Sequence, residues 1–475
     1  MKKSLLLAVL MVCFLAIPAF ASVQNVKVSG DVDSTWLMRN DFDLGTNTIG
    51  DRNQNVFLTQ TRLQVQGELT DNVSAVVALI NERAWDADND SGTNNTDVDL
   101  NLAYVTLKEM LYSPLTVHIG RQNNIRYGNG FVVDSQGTNN VATGALATIA
   151  QDLTKRTALD AIRAVLDYHP LTLELLFAKV DANTLTGAPD KRDDVDLWGA
   201  NANYQLGDKM NTEVEGYFFA KIDKSVQVSG TGAGNKSDTA DTVYVPGLRA
   251  STNPIEGLNV QAEVAWQRGN KVFTTSAAGN NQRREAMGAE AIASYKVPFE
   301  ATKQWKPVVT GVYSYTSGDK STTSDLAAPT EKSREEYRAW DPMFENQGGG
   351  TIYNTLFDLS NSHIYIASAQ VSPIEDVIAK VTWTGLWSDK EDRESTLTIR
   401  QPDGGTTTAQ ITTNQQVGYE IDAELVYDYT EDVQFGLLMG WFNPGDTFTS
   451  RTGTNGPADS KHTASQVIAH TDVKF

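Results

Sequence analysis

The chain has 475 residues, with 39 Lys and Arg against 59 Asp and Glu and a formal net charge of −20. So acidic a chain is a poor candidate for binding nucleic acid or an anionic surface. Apart from the apolar stretch near the amino-terminus, which is described below, no apolar run approaches the ~18 residues that a membrane-spanning helix needs.

The amino-terminus predicts a cleaved signal peptide over residues 1–21. It has two basic residues, an apolar core over residues 4–17 and a small-x-small cleavage site at residues 19–21. The single cysteine, Cys13, lies within this leader. The expected mature domain, residues 22–475, therefore contains no thiol, no disulfide and no cysteine metal site.

The mature chain repeats one pattern, in which about ten or more residues of alternating polarity lead alternately into a tight turn or a long polar loop. The alternation predicts eighteen strands, at about residues 25–41, 53–69, 73–85, 97–109, 115–125, 157–168, 171–180, 194–206, 210–222, 241–252, 257–269, 283–296, 305–316, 363–372, 377–388, 415–429, 433–443 and 462–475. We expect an all-β fold: one transmembrane antiparallel β-barrel of about 18 strands, with short periplasmic turns and long extracellular loops.

The last predicted strand, residues 462–475, ends on an aromatic carboxy-terminus. Its apolar face is formed by Val467, Ala469, Thr471, Val473 and Phe475. Such a strand behind a secretory signal resembles the closing strand of an outer-membrane barrel. The alternative is the last strand of a secreted sandwich. The barrel interpretation places the protein in the outer membrane of a Gram-negative-type bacterium.

Alternation also predicts which side chains line the pore, because lipid-facing positions must be apolar. The predicted pore-lining residues are Arg39, Arg62, Glu213, Glu215, Glu263, Lys380, Glu420, Asp422, Glu424 and Asp428. The last four form one column of carboxylates, in which successive inward positions are ~7 Å apart. This column is either a cation-selective wall or a structural ion-pair ladder, with Lys380, Lys474, Arg39 or Arg62 as the candidate partners.

Four stretches in order resemble one known family. They are Gly-Arg-Gln…Tyr-Gly within residues 117–128, Asp-x-x-Arg within 158–168, Ser-Gly-Asp followed by Trp-Asp-Pro-x-Phe within 315–344, and Gly-Tyr-Glu-Ile-Asp with Gly-Trp-Phe-Asn-Pro-Gly within 418–445. They are similar to the alginate-export-like outer-membrane porins, whose structurally known member is an 18-stranded barrel. The resemblance implies a monomeric export or uptake barrel with a charged constriction.

The constriction residues that this resemblance implies are Arg121, Arg163 and Arg249. Arg121, however, shares the strand parity of the lipid-facing Val117 and Ile119, so a bulge or an exit above the membrane is required to bring it inside. A polyanion such as alginate needs an excess of bases at the constriction, whereas the predicted inward carboxylates outnumber the inward bases. This excess of inward carboxylates departs from the family pattern and puts an anionic substrate in doubt.

One loop has the carboxylate spacing of a calcium site, with Asp86, Asp88, Asp90 and Asp97 at positions 1, 3, 5 and 12. Its glycine stands at position 7 instead of the position 6 that the sharp turn needs, so an acidic surface loop is the alternative. No other cofactor is expected. The five histidines are scattered and no G-x-S-x-G motif is present, so we expect no enzymatic activity.

The segment from Phe131 to Arg156 carries an apolar stretch and has two interpretations. It folds into the pore and narrows it, or it forms a short external helix.

The predicted function is the passive passage of a hydrophilic solute, either cation-preferring or selective for a saccharide. The alternatives are the barrel sheath of a complex such as a porin–cytochrome electron conduit, a polyanionic polysaccharide exporter and an adhesin-like barrel. The expected partners are the lipid bilayer, lipopolysaccharide, the solute and the barrel-assembly machinery, with a periplasmic or lumenal protein in the sheath interpretation.

Overall fold

A computed structural model describes residues 25–46, 53–85, 98–112, 114–137, 146, 149–181, 194–225, 240–272, 281–298, 304–320, 336–346, 348, 350–391, 396–448 and 461–475. The predicted leader lies outside these ranges, and so do Asp86, Asp88, Asp90 and Asp97 of the calcium-like loop. In the part of the chain that the structure describes, none of the helices has the length and apolar character to span a lipid bilayer.

The fold consists almost wholly of strands. These are β1 Asn25–Asn40, β2 Gln54–Thr70, β3 Val73–Ala84, β4 Asp99–Leu107, β5 Leu115–Gln122, β6 Leu159–Asp167, β7 Leu171–Asp181, β8 Val195–Gln205, β9 Glu213–Asp223, β10 Asp241–Ile255, β11 Leu258–Val272, β12 Asn281–Lys296, β13 Val308–Thr316, β14 Ser362–Ile374, β15 Val377–Ser388, β16 Thr396–Arg400, β17 Thr406–Gln410, β18 Gln416–Asp428, β19 Val433–Pro444 and β20 Ala464–Lys474. A helical turn, α1, spans Tyr353–Leu356, and two 3-10 turns span Met110–Tyr112 and Gln151–Leu153.

Eighteen of the strands form one sheet in which each strand pairs antiparallel with its neighbours. Strand β1 pairs with β2 on one side and with β20 on the other, so the sheet closes into a barrel. The predicted fold class is confirmed, and the eighteen predicted strands correspond to the barrel strands. Closure satisfies every strand edge, as a sheet in lipid requires.

Strands β16 and β17 pair only with each other, as a hairpin outside the barrel sheet. The predicted strands at 377–388 and 415–429 leave this stretch as a loop, so the hairpin was not predicted. The hairpin was missed because each strand has only 5 residues, too few to show a clear alternation.

The two rims of the barrel differ. The connections β2–β3, β10–β11 and β14–β15 are tight turns at residues 71–72, 256–257 and 375–376. The longest connections leave from the opposite rim, and several of them fold back into the lumen. Because β1 starts and β20 ends at the short-turn rim, this rim is the periplasmic one.

The outward face of the barrel is an apolar surface. Exposed apolar side chains alternate along the strands, among them Phe57, Leu63 and Val65 on β2 and Tyr419, Ile421, Leu425 and Tyr427 on β18. Alternation also predicts Val417 on this outward face, two residues before Tyr419, and for Val417 the prediction was wrong. The pairing of β15 with β18 shifts register between Leu386 and Trp387, and Val417 packs in a buried cluster with Leu386 and Phe442.

The seam between the first and last strands extends to the final residue. Gly30 and Phe475 exchange two backbone hydrogen bonds of 2.9 and 3.0 Å. The Phe475 ring covers Gly30 so closely that a Cβ there would lie 2.6 Å from it. The seam therefore depends on the smallest side chain at one position and an aromatic ring at the other.

Candidate functional site

Four stretches of the long connections fold into the lumen. We name them the first inward segment (residues 123–137), the second (149–157), the third (336–346) and the fourth (350–361). Part of the segment from Phe131 to Arg156 thus packs inside the barrel among its described residues, as the first of the two interpretations predicted.

The tip of the first inward segment is held by wall carboxylates. The backbone N–H of Gly128 donates to Glu215 at 2.9 Å, and that of Asn129 donates to Glu263 at 2.8 Å. The Asn129 side-chain amide donates to Glu290 at 3.1 Å. Gly128 has a φ of +57°, and a Cβ there would lie 2.5 Å from both oxygens of Glu263. Only glycine lets the backbone come this close.

Arg249 lies beside the same tip. Its guanidinium donates to Asn129 Oδ1 at 3.1 Å, to Glu213 at 2.9 Å and to Gln261 at 2.8 Å, and it reaches Glu215 at 3.4 Å. It therefore neutralises part of the carboxylate group while it holds the segment that narrows the lumen.

The other two arginines of the family resemblance lie in different places. Arg163 pairs with Glu174 at 2.7 Å and donates to the carbonyl of Asn124 in the first inward segment at 3.2 Å. Arg121 pairs with Asp160 at 3.0 Å, and the two residues are directly opposite each other on β5 and β6. Asp160 shares its strand face with the exposed Ile162. Arg121 thus lies on the outward face and does not join the lumen, contrary to what the resemblance implied.

The second inward segment is fixed by ion pairs and by one buried carboxylate. Glu82 accepts hydrogen bonds from the backbone N–H of Lys155 and from the Thr154 hydroxyl, each at 2.7 Å. Arg39, whose side chain is 1% exposed, forms a two-point pair with Asp152. The predicted inward Arg39 is therefore engaged with this segment.

Arg62 and Lys474, the other candidate partners of the carboxylate column, also pair elsewhere. Arg62 pairs with Asp31 at 2.8 Å, and Lys474 pairs with Asp472 at 3.4 Å. Neither reaches the column on β18.

The third inward segment is anchored through Asp341. Its carboxylate lies 2.6 Å from Lys221 Nζ and 3.6 Å from the Arg284 guanidinium. Its backbone exchanges two hydrogen bonds with the Gln267 side chain, at 2.7 and 2.8 Å. Burial raises the pKa of Asp341, but the two cations outweigh burial and hold the pKa at about 2.

The first and third inward segments pack against each other and against the wall. The rings of Phe131 and Trp340 contact each other in a tilted arrangement with centroids 5.4 Å apart, and Val133 forms a parallel bridge with Phe344. The four side chains belong to a buried apolar cluster that includes Phe219 and other inward residues of the wall. This half of the lumen is filled.

The fourth inward segment is held by the column of carboxylates on β18. Glu420 accepts hydrogen bonds from the backbone N–H groups of Ile352 and Tyr353 at 2.7 and 2.8 Å. Asp422 accepts one from the Thr351 hydroxyl at 2.7 Å. Gly350, with a φ of +110°, brings the chain so close that a Cβ would lie 2.5 Å from the Glu420 carboxyl carbon. Glu420 and Asp422, the two carboxylates of the column that lie farther from the periplasmic rim, therefore hold the fourth inward segment in place.

The lower half of the column lies towards the periplasmic rim. Glu424 lies 3.7 Å from Lys380, the predicted partner on β15, and Asp428 accepts a hydrogen bond from Gln434 at 2.7 Å. Of the four carboxylates, Glu424 and Asp428 are the pair not used by an inward segment in the described residues.

A cavity of about 620 Å³ remains between the inward segments, the β16–β17 hairpin and the wall. We name it the central cavity. Its polar lining residues are Gln136, Gln151, Asp152, Thr154, Thr157, Asn346, Thr351, Asn354, Thr355, Arg400, Gln401 and Gln466. Leu153, Pro402, Leu438 and Ile468 complete it with an apolar patch. Amides and hydroxyls make up most of its polar lining.

No cluster of three or more His, Cys, Asp or Glu side chains that could hold a metal ion is found within the described ranges. The calcium-like loop with Asp86, Asp88, Asp90 and Asp97 lies outside those ranges, and so it stays a prediction.

Three anchors were not predicted from the sequence: Glu82, Glu290 and Asp341. The alternation of polarity along β3 and β12 indicates only that Glu82 and Glu290 face inward. No pattern in the sequence shows that their partners come from distant loops. The available signals were Gly128 and Gly350, since glycine is common where backbone must approach another group closely.

Comparisons with known proteins agree with this architecture. The family model described as alginate export matches residues 25–459. A structure of Pseudomonas aeruginosa OccK2 (OpdF) in complex with glucuronate is 10% identical, with a TM-score of 0.53 over 95% of this chain and 99% of that chain. Pseudomonas aeruginosa OpdK with vanillate is 10% identical, with a TM-score of 0.53 over 95% of this chain and 100% of that chain.

A BenF-like porin from Pseudomonas fluorescens Pf-5 is 10% identical, with a TM-score of 0.54 over 95% of this chain and 100% of that chain. A search of the curated proteins found no match to the chain. At such low identity, these structural likenesses establish the fold alone.

Proposed function

Because this chain belongs to the alginate-export family and has the closed barrel of an outer-membrane porin, we propose that it is a passive channel for a small hydrophilic solute. The central cavity carries this proposal, since its polar lining lies inside a barrel whose outward face is apolar. Pore width and inward charge govern such passage, and no energy source is needed. The family and fold are those of channels and not of enzymes.

We further propose a modest preference for cations. Glu213 and Glu424 have side chains that are 32% and 43% exposed, and Asp428 lies with Glu424 on the same inward face. The facing bases are Arg249 and Lys380, and each is already paired with a carboxylate. The excess negative charge raises the local concentration of cations.

Two of the alternatives have less support. A sheath around a separate lumenal protein would require removal of the inward segments, which pack in buried apolar clusters against the wall. A polyanion exporter needs uncompensated bases, whereas Arg39, Arg163 and Arg249 each pair with a carboxylate.

Single-channel recording of the refolded protein in a planar bilayer under a KCl gradient tests the proposal. Stable conductance with a cation-favouring reversal potential is the expected result. An anion-favouring potential would overturn the cation preference and support a polyanion exporter. A folded barrel without conductance would contradict the channel itself, and copurification with a haem protein would then favour the sheath.

A further inference from the structure

The central cavity combines a polar lining with little free charge. Apart from Asp152 and Arg400, its lining residues are uncharged. We propose that this cavity binds an uncharged, hydroxyl-rich solute such as a neutral sugar, in preference to a uronate or another organic anion. The inference rests on the proposed channel function, because it names the class of solute for the same site.

The first observation concerns Asp152 and its partner. Both Asp152 oxygens contact the guanidinium of Arg39, and this guanidinium is itself buried over the ring of Phe42 at 4.9 Å. The Arg39 side chain is 1% exposed and its guanidinium is engaged at two points by Asp152, so the charge of Arg39 is not available to a solute. An anion in the cavity gains nothing from Arg39.

Arg400 is compensated in a similar way. Its guanidinium pairs with Asp358 at 2.8 Å and donates to the carbonyls of Phe357 and Asn354 at 2.6 and 3.2 Å. Its two Nη atoms therefore donate into the fourth inward segment, whereas its Nε is buried without a hydrogen-bond partner in the described part of the chain. Among the described lining residues, a carboxylate that left water for this cavity would therefore meet only a guanidinium that is already paired with a carboxylate.

The uncharged lining has the chemistry that sugars need. Each Asn or Gln side chain carries donors and an acceptor, and each Thr hydroxyl does both, so the lining matches hydroxyl groups that also donate and accept. Part of it is held in a fixed orientation: Gln466 donates to Thr351 at 2.7 Å and accepts from Arg39 at 3.3 Å. The patch that includes Leu438 and Ile468 offers an apolar surface to the C–H face of a ring.

The size of the cavity agrees with this assignment. Its volume of about 620 Å³ lies within the range of roughly 300–1,000 Å³ that is usual for small-molecule sites. A disaccharide is thus an appropriate probe.

The test is block of single-channel current by maltose and by glucuronate, each titrated into the refolded full-length barrel. We expect saturable block by maltose, with a half-blocking concentration lower than that of glucuronate by about tenfold. Asp358→Asn releases Arg400 from its partner and should strengthen block by glucuronate about fivefold. Asp446→Asn is the matched control, since Asp446 forms an exposed pair with Lys461 at 3.0 Å outside the cavity. It should change neither titration.

Each result has a distinct meaning. Equal or stronger block of the wild-type channel by glucuronate would overturn the inference. Ion conductance without saturable block by maltose would also overturn it but would leave the proposed channel intact. A folded barrel without ion conductance would contradict both the sugar-binding inference and the proposed channel function, because there would be no passage for a solute.

Discussion

The backbone amide of Ile352 donates a 2.7 Å hydrogen bond to Glu420, whose side chain is fully buried. The next amide, that of Tyr353, donates to the same carboxylate at 2.8 Å. Glu420 is thus an anchor that ties the fourth inward segment to β18. The same relationship joins Glu215 and Glu263 to the first inward segment, so wall carboxylates set the width of the lumen through the loops that they hold.

Replacing Glu420 should release the fourth inward segment. Glu420→Ala leaves two backbone N–H groups without their acceptor, which should weaken the seated segment by about 1–3 kcal/mol for each lost bond. We expect a larger single-channel conductance and faster protease cleavage within residues 350–361. Glu424→Ala, on the same strand face, is the control and should alter neither. Unchanged conductance and cleavage in the Glu420 variant would contradict the anchoring role.

The two halves of the carboxylate column should have separable effects. Neutralising Glu424 and Asp428 together removes the charges that face the periplasmic part of the lumen, so the reversal potential should shift away from cation preference. Neutralising Glu420 and Asp422 should mainly change conductance, since these two hold the fourth inward segment. Identical effects of the two double variants on selectivity would show that the column acts as one charged wall.

Arg249 should limit the cation preference. Arg249→Ala leaves Glu213 and Glu215 without their shared partner, so the reversal potential should shift towards cations. Arg268 on the neighbouring β11 is the matched control, because it pairs with Glu285 and its side chain is 50% exposed. Arg268→Ala should leave the reversal potential unchanged. A shift of equal size in both variants would show a general effect of charge.

The third inward segment should stay in place at moderately acid pH. The pKa of Asp341 falls from 3.8 to about 2 in the folded chain. Its carboxylate therefore contributes about 2 kcal/mol at pH values above 3.8. This stabilisation is lost progressively as the pH falls through about 2.

Pepsin cleavage within residues 336–346 measures the pH at which the third inward segment is released. Cleavage should remain slow at pH 4 and accelerate near pH 2. Lys221→Met, which removes one of the two cations beside Asp341, should move the onset to higher pH. The same onset in wild type and variant would rule out this ion pair as the anchor.

The strands could be predicted from the sequence because a barrel in lipid imposes a local rule. Every second residue must be apolar, and the eighteen predicted barrel strands are all present. The rule fails where the ladder is irregular: the register shift beside Val417 turned an expected lipid-facing residue inward. For Arg121, alternation was the better guide than the family resemblance. Arg121 has the strand parity of the outward-facing Ile119, and it lies outside the lumen.

The arrangement of the inward segments could not be predicted in the same way. Glu420 binds residues 67 and 68 positions away, and Glu263 binds one 134 positions away. Such pairs leave no periodic trace in a single sequence. Alternation identified Glu420 as inward, but only the folded chain distinguishes a charge that lines water from one that accepts two backbone amides.

The seam between β1 and β20 has a consequence for biogenesis. The two strands that complete the ring stand at opposite ends of the chain, with Asp31 opposite Lys474. During synthesis and insertion, every shorter intermediate presents two open strand edges, which are sites for aggregation. Such open edges need protection until the last strand pairs, and deletion of β20 should leave a species prone to degradation.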